Sequence, residues 1–278
     1  MGALPDLPAE LISLIVDYLR DDREALKACT LVSRAFVALS QARLFERVAL
    51  QSPSVLSYFD CERPDVRGCT HFMQTHISSD PDGILSYTRS LSIDLAMGAT
   101  RPQDLEEIYD HWMAFKNIRK LQAPLLATDF VKDPMSLSRC FSHFQPTLRC
   151  LHLNTSLESP KNLITFIAFF PLLEEVSIET LHLASPTILY PDESRRFDPD
   201  LLPPLRGSLL LRWCEYENSF LMELAKVRVQ YHTLTISDAT VWKGLQEFIT
   251  ACAPTLQVLN IVHEDRKLFP LRFWVSLD

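Results

Sequence analysis

Pro146-Thr147-Leu148-Arg149-Cys150-Leu151-His152-Leu153 is echoed later in the chain by Pro254-Thr255-Leu256-Gln257-Val258-Leu259-Asn260-Ile261. Each segment has an apolar residue, two spacers, and then an apolar-x-apolar core. Working outward from the pair, the same core recurs at Leu91-Ser92-Ile93, Leu121-Gln122-Ala123 and Val176-Ser177-Ile178, and again at Leu209-Leu210-Leu211 and Leu234-Thr235-Ile236. The intervals between successive cores are 30, 30, 25, 33, 25 and 25 residues. Most cores have an apolar residue three positions earlier, at Ile118, Leu148, Leu173, Tyr231 and Leu256. Alternation with period two puts the apolar residues on one side of a strand and the residues between them on the other.

The segments between the cores read as helices. Gln103 to Phe115 carries Leu105, Ile108, Trp112 and Phe115 on one helical face; Leu163 to Phe170, Phe220 to Val227 and Val241 to Ala251 behave similarly. Strands that alternate with helices point to parallel pairing through crossovers. A repeat of 25 to 33 residues built on L-x-x-L-x-L resembles the strand half of leucine-rich repeats. The resemblance implies about seven irregular units over residues 84–278, stacked as a solenoid with a curved parallel sheet and outer helices. The Asn usual after the strand is mostly absent, with Asn154 as the nearest echo. An ordinary open α/β sheet is the alternative fold. It lacks the Gly-rich βα turn of a nucleotide site, and the whole chain has six glycines. Ser185 to Pro204 holds five prolines and the run Asp192-Glu193-Ser194-Arg195-Arg196, and reads as a surface insertion.

The first fifty residues follow a different pattern. Pro8 suits a first helical position and Glu10 the positive end of a helix dipole. Leu11, Ile12, Ile15 and Leu19 form an apolar stripe, which Leu14 and Val16 make wider than one core face requires. Asp21-Asp22 can cap a second short helix carrying Leu26 and Cys29. A third helix is expected from about Leu31 to Arg43, with Val32, Phe36, Leu39 and Leu44 apolar. Three helices this short need a neighbour to complete a stable core. The order Leu7-Pro8-x-Glu10-Leu11, Ile15, Leu19, Leu31-Val32-Ser33-Arg34 resembles an F-box of a form common in fungi. The likeness covers Leu4 to Leu50, and Phe36 stands where many F-boxes carry Trp. It implies binding to the Skp adaptor and through it to a cullin. Leu7, Pro8, Leu11, Ile15, Leu31, Val32 and Phe36 would then make the adaptor contacts or support them. Residues 51–83 would link this unit to the repeats, with a helix near Pro53 to Phe59.

Composition narrows the remaining choices. Hydrophobic residues make up 47% of the 278, enough for a sizeable core. A net charge of −8 argues against nucleic acid, which calls for clustered Lys and Arg. The longest nearly apolar run, Leu163 to Leu173, is too short to span a bilayer, and no polybasic run suggests a membrane surface. No secretory signal is legible, and Asp6 stands where a myristoylation pattern wants Ser or Thr. Seven scattered cysteines suit a reducing cytoplasmic or nuclear compartment.

No cofactor is expected. Cys61, Cys69, His71 and His76 lack the spacing of a paired zinc site, so no metal is expected either. Cys140 and His143 lie three apart on an expected helix with no orienting carboxylate in view. None of G-x-S-x-G, a P-loop, H-E-x-x-H or a dinucleotide fingerprint occurs, so the chain is not expected to be an enzyme. The residues that alternate with the strand leucines would form a polar concave face for a protein target. They are Ser92, Asp94, Lys120, Gln122, His152, Asn154, Glu175, Ser177, Glu179, Arg212, Thr235 and Asn260. Residues 1–50 hold seven acidic and six basic side chains, which leaves most of the negative charge on the repeats and favours a target with a basic patch. The expected function is a substrate receptor of a cullin–RING ubiquitin ligase of the Skp–cullin–F-box type. The alternatives are a Skp-binding scaffold without ligase function and a repeat-based hydrolase or sensor.

Overall fold

The structure is a computed structural model that describes residues 7–51, 83–94, 113–126, 141–157, 160–183, 202–212, 217–237, 243–263 and 271–276. The expected helix at Pro53 to Phe59, the Cys61, Cys69, His71 and His76 group, Cys140, and most of the 103–115 and 185–204 segments lie outside the described residues. So does the side chain of Asp94.

Three helices come first: α1 (Ala9–Tyr18), α2 (Arg23–Val32) and α3 (Arg34–Leu44). Pro8 immediately precedes α1, and its carbonyl accepts from the N–H groups of Leu11 and Ile12. Asp22 caps α2, its carboxylate accepting from the Ala25 N–H at 3.0 Å. Ser33 is extended and separates α2 from α3. Leu31 and Val32 therefore close the second helix and do not open the third, as the sequence had suggested. Ile12, Val16, Leu26, Phe36 and Leu44 form the core of this unit, distinct from the larger core that follows.

The described residues that follow are α/β, built on one nine-stranded sheet whose strand order is the chain order. The strands are β1 (Arg47–Gln51), β2 (Ser90–Asp94), β3 (Lys120–Leu126), β4 (Cys150–Leu157), β5 (Glu175–Leu183), β6 (Leu205–Arg212), β7 (Val229–Ser237), β8 (Val258–His263) and β9 (Leu271–Ser276). Strands β1 to β8 are parallel, and β9 returns antiparallel along β8. All seven cores read from the sequence are strands. The strand order never reverses, so the sheet has no switch point of the kind that places ligands in doubly wound folds. It does not close into a barrel.

Helices α4 (Pro160–Ala168), α5 (Glu217–Leu224) and α6 (Lys243–Cys252) fill the connections β4–β5, β6–β7 and β7–β8. Leu163, Phe166, Phe220, Leu224, Leu245 and Phe248 share one buried cluster with Leu91, Leu121, Leu151, Val176, Leu209 and Leu234 of the strands. Phe166 packs edge-on against both Phe141 and Phe170, at centroid distances of 5.8 and 5.4 Å. One face of the sheet is thus covered by helices and turns, while the alternate residues point away from that core. Cys140 and His143 were expected on a helix. His143 instead lies in a 3-10 turn, Ser142–Phe144, with its ring 3.9 Å from that of Phe144. Among the described residues no helix is long and apolar enough to cross a membrane.

Candidate functional site

Two surfaces stand out, one at each level of the architecture. The first is on the three-helix unit. The stripe on α1 divides in two: Ile12 and Val16 point inward, and Leu11, Leu14 and Ile15 point outward. Leu7 and Tyr18 continue the outward row at helical spacing, Tyr18 with 91% of its surface exposed. At the end of α2, Leu31 and Val32 are 87% and 71% exposed. Side chains of this size scattered singly on a surface would need no explanation; four in register on one helix, with Leu7 just ahead of it, do.

An ion-pair network holds the helices that present this surface. Arg43 on α3 donates from Nε to Asp17 on α1 at 2.8 Å and from Nη1 to Glu46 at 3.2 Å, while Arg20 reaches Glu46 at 2.7 Å. The hydrogen bond that Arg43 donates to Asp17 holds its guanidinium above its ordinary pKa, so it stays charged throughout the accessible range. Of the adaptor residues expected from the sequence, Leu7, Pro8, Leu11, Ile15, Leu31 and Val32 are exposed. Phe36 is 8% exposed and belongs to the helical core, where it supports the surface from behind. The sequence reading gave no role to Tyr18 and treated Leu14 only as widening a stripe. Their spacing from Leu11, three and seven residues on, was the available signal.

The second surface is the sheet face turned away from the helices. The register places Ser92, Gln122, His152, Ser177, Leu210, Thr235 and Asn260 in one continuous rung across β2 to β8. A neighbouring rung runs Ser90, Lys120, Cys150, Glu175, Ser208, Thr233 and Val258. Asn154, Glu179 and Arg212 align in a third. The polar residues expected to share a face therefore occupy matching register positions. Ser177 departs from the expectation of an exposed position and is buried, as is Ser237 at the end of β7. Ser177 is the short side chain between His152 and Leu210 in its rung, and its hydroxyl has no hydrogen-bond partner among the described residues.

Charge is concentrated at the middle of this face. Arg212 donates to Glu179 at 3.4 Å, and Asn260 donates to the Thr235 hydroxyl at 3.1 Å. His152 Nε2 lies 3.3 Å from Glu175 Oε1, close enough for charge attraction but without hydrogen-bond geometry. Burial and, after it, the neighbouring Lys120 hold the His152 pKa below its ordinary value, against the opposing pull of Glu175. Burial likewise raises the pKa of the Cys150 thiol, so it is a weaker nucleophile than a free cysteine. No group of three or more His, Cys, Asp or Glu able to hold a metal occurs among the described residues. Among the described residues such an arrangement offers graded polar contacts over several strands and no assembled nucleophile, base and oxyanion donor.

The chain matches no protein-family model, and comparison with curated proteins and with solved structures finds no similar chain.

Proposed function

We propose that the chain is a substrate receptor: residues 1–50 are an F-box that docks on a Skp adaptor, and the sheet is an irregular leucine-rich-repeat solenoid whose polar face holds a protein target. The observation that carries this reading is the outward apolar row Leu7, Leu11, Leu14, Ile15 and Tyr18 on a helical unit that already has its own core. Burying such a row on a partner gains about 25 cal/mol per Å² of apolar surface removed from water. Leu31 and Val32 add to the same docking area from the end of α2.

In this scheme the chain does no covalent chemistry. It holds a target near a ligase assembled through the adaptor and cullin, and the rate gain comes from effective concentration. Glu175 and Glu179 give the target face its acidic centre, which suits a partner with basic side chains. Affinity purification of the full chain tests the scheme. Recovery of both adaptor and cullin is expected. Adaptor without cullin would leave a scaffold, and recovery of neither would overturn the reading.

A further inference from the structure

A cleft of about 410 Å³ opens where α3 meets the starts of the strands, away from the rungs described above. Its walls include Arg43 and Glu46 from the end of the helical unit, Tyr87 from a 3-10 turn (Ile84–Tyr87), and Arg89 and Arg119 just ahead of β2 and β3. The Arg119 N–H donates to the Arg89 carbonyl at 2.8 Å, and the Arg89 N–H donates to the Glu46 carbonyl at 2.9 Å. The two arginines thus hold equivalent places on adjacent strands, about 4.8 Å apart. Like charges set side by side in this way are unfavourable unless something neutralises them.

The neighbouring charges are already satisfied. Glu46, the cleft's carboxylate, is taken by Arg20 and Arg43, and its side chain is 13% exposed. Arg149, the next arginine in the same ladder, pairs with Glu174 at 3.0 Å. The side chains of Arg89 and Arg119 make no hydrogen bond or ion pair to any described residue. A chain of net charge −8 therefore keeps two guanidinium groups, unpaired among the described residues, along one concave space.

We propose that this cleft binds a phosphate group. Guanidinium forks match the oxygen geometry of phosphate and donate in pairs. Two forks at strand spacing suit a group with three terminal oxygens and a charge between −1.5 and −2 near neutral pH, about what a phosphomonoester carries. A planar carboxylate would be satisfied by one fork and leave the other unpaired. Tyr87 lines the same wall, and Asn117 braces its turn by donating to the Ser86 carbonyl at 2.8 Å. The volume admits the phosphate and a few attached atoms, so the source is either a phosphorylated side chain or a small phosphate. The inference does not depend on adaptor docking.

Calorimetric titration of the full chain at low ionic strength separates the cases. The probes are inorganic phosphate, a phosphoserine peptide and its unphosphorylated form, each against wild type, Arg89→Ala/Arg119→Ala and Arg89→Lys/Arg119→Lys. Phosphate is expected to bind wild type and raise its melting temperature, and the alanine pair to bind at least tenfold more weakly. The lysine pair keeps the charge and the fold but loses the forks, and is expected to fall between the two. Tighter binding of the phosphopeptide than of phosphate assigns the source to a phosphorylated protein; the reverse assigns it to a small phosphate. Wild type that binds neither phosphate nor phosphopeptide overturns the proposal. So does a folded alanine or lysine pair that binds both as tightly as wild type.

Discussion

Gly207 sits at φ +92° where β6 shifts register against β7. A Cβ there would overlap the carbonyl group of Glu174, the residue just before β5, and backbone cannot swing aside as a side chain does. Gly207→Ala is expected to destabilise the chain by about 2 kcal/mol or more, read as a lower denaturation midpoint. His152 makes a different demand. Its folded pKa is depressed, so the native state binds fewer protons than the unfolded chain as pH falls. The stability associated with a neutral His152 is fully present above the ordinary value of 6.5 and is lost as pH drops from there through the depressed folded value. The melting temperature of wild type should therefore fall more steeply below pH 6.5 than that of His152→Gln. Equal slopes would remove the assignment. Neither property was legible in the sequence. Gly207 lies inside an apolar strand with nothing to mark its φ, and the burial of His152 depends on strands 25 to 30 residues away.

Among the elements, α1 shows how a periodic pattern underdetermines a face. Leu11, Ile12, Leu14, Ile15 and Val16 are all apolar, and only the packed structure separates Ile12 and Val16 inside from the other three outside. The boundary between α2 and α3 was misplaced because the run Thr30-Leu31-Val32 gives no stop signal; the break is a single extended serine. These placements set opposite expectations for two apolar residues. Phe36→Ala should cost about 3 kcal/mol and loosen the three-helix unit, since Phe36 fills its core. Leu31→Ala should leave the fold within about 0.5 kcal/mol of wild type, because the side chain is exposed, while weakening any partner that covers it. Hydrogen exchange on α1 to α3 would report both outcomes.

Across the whole molecule, the seven internal strands were legible because each apolar-x-apolar core repeats a demand made by its neighbour: one side buried, the other free. The two outer strands were missed for separate reasons. Val48-Ala49-Leu50, with Phe45 three residues earlier, fits the pattern, but 43 residues separate it from the next core, well outside the repeat. At the other end, residues 264–270 are too few for a parallel crossover, so the last strand turns back antiparallel and covers the β8 edge. The chain thus runs from a helical unit with an uncovered apolar face, through α3 and β1, into a sheet with a polar face. On the proposed reading, this first face docks on the adaptor. Titrating purified Skp adaptor against the full chain, wild type and Leu11→Ala/Ile15→Ala, tests it most directly. Each truncation should cost about 1–2 kcal/mol of binding, so the double variant should bind at least tenfold more weakly with an unchanged melting temperature. A folded double variant that binds as tightly as wild type would contradict the account.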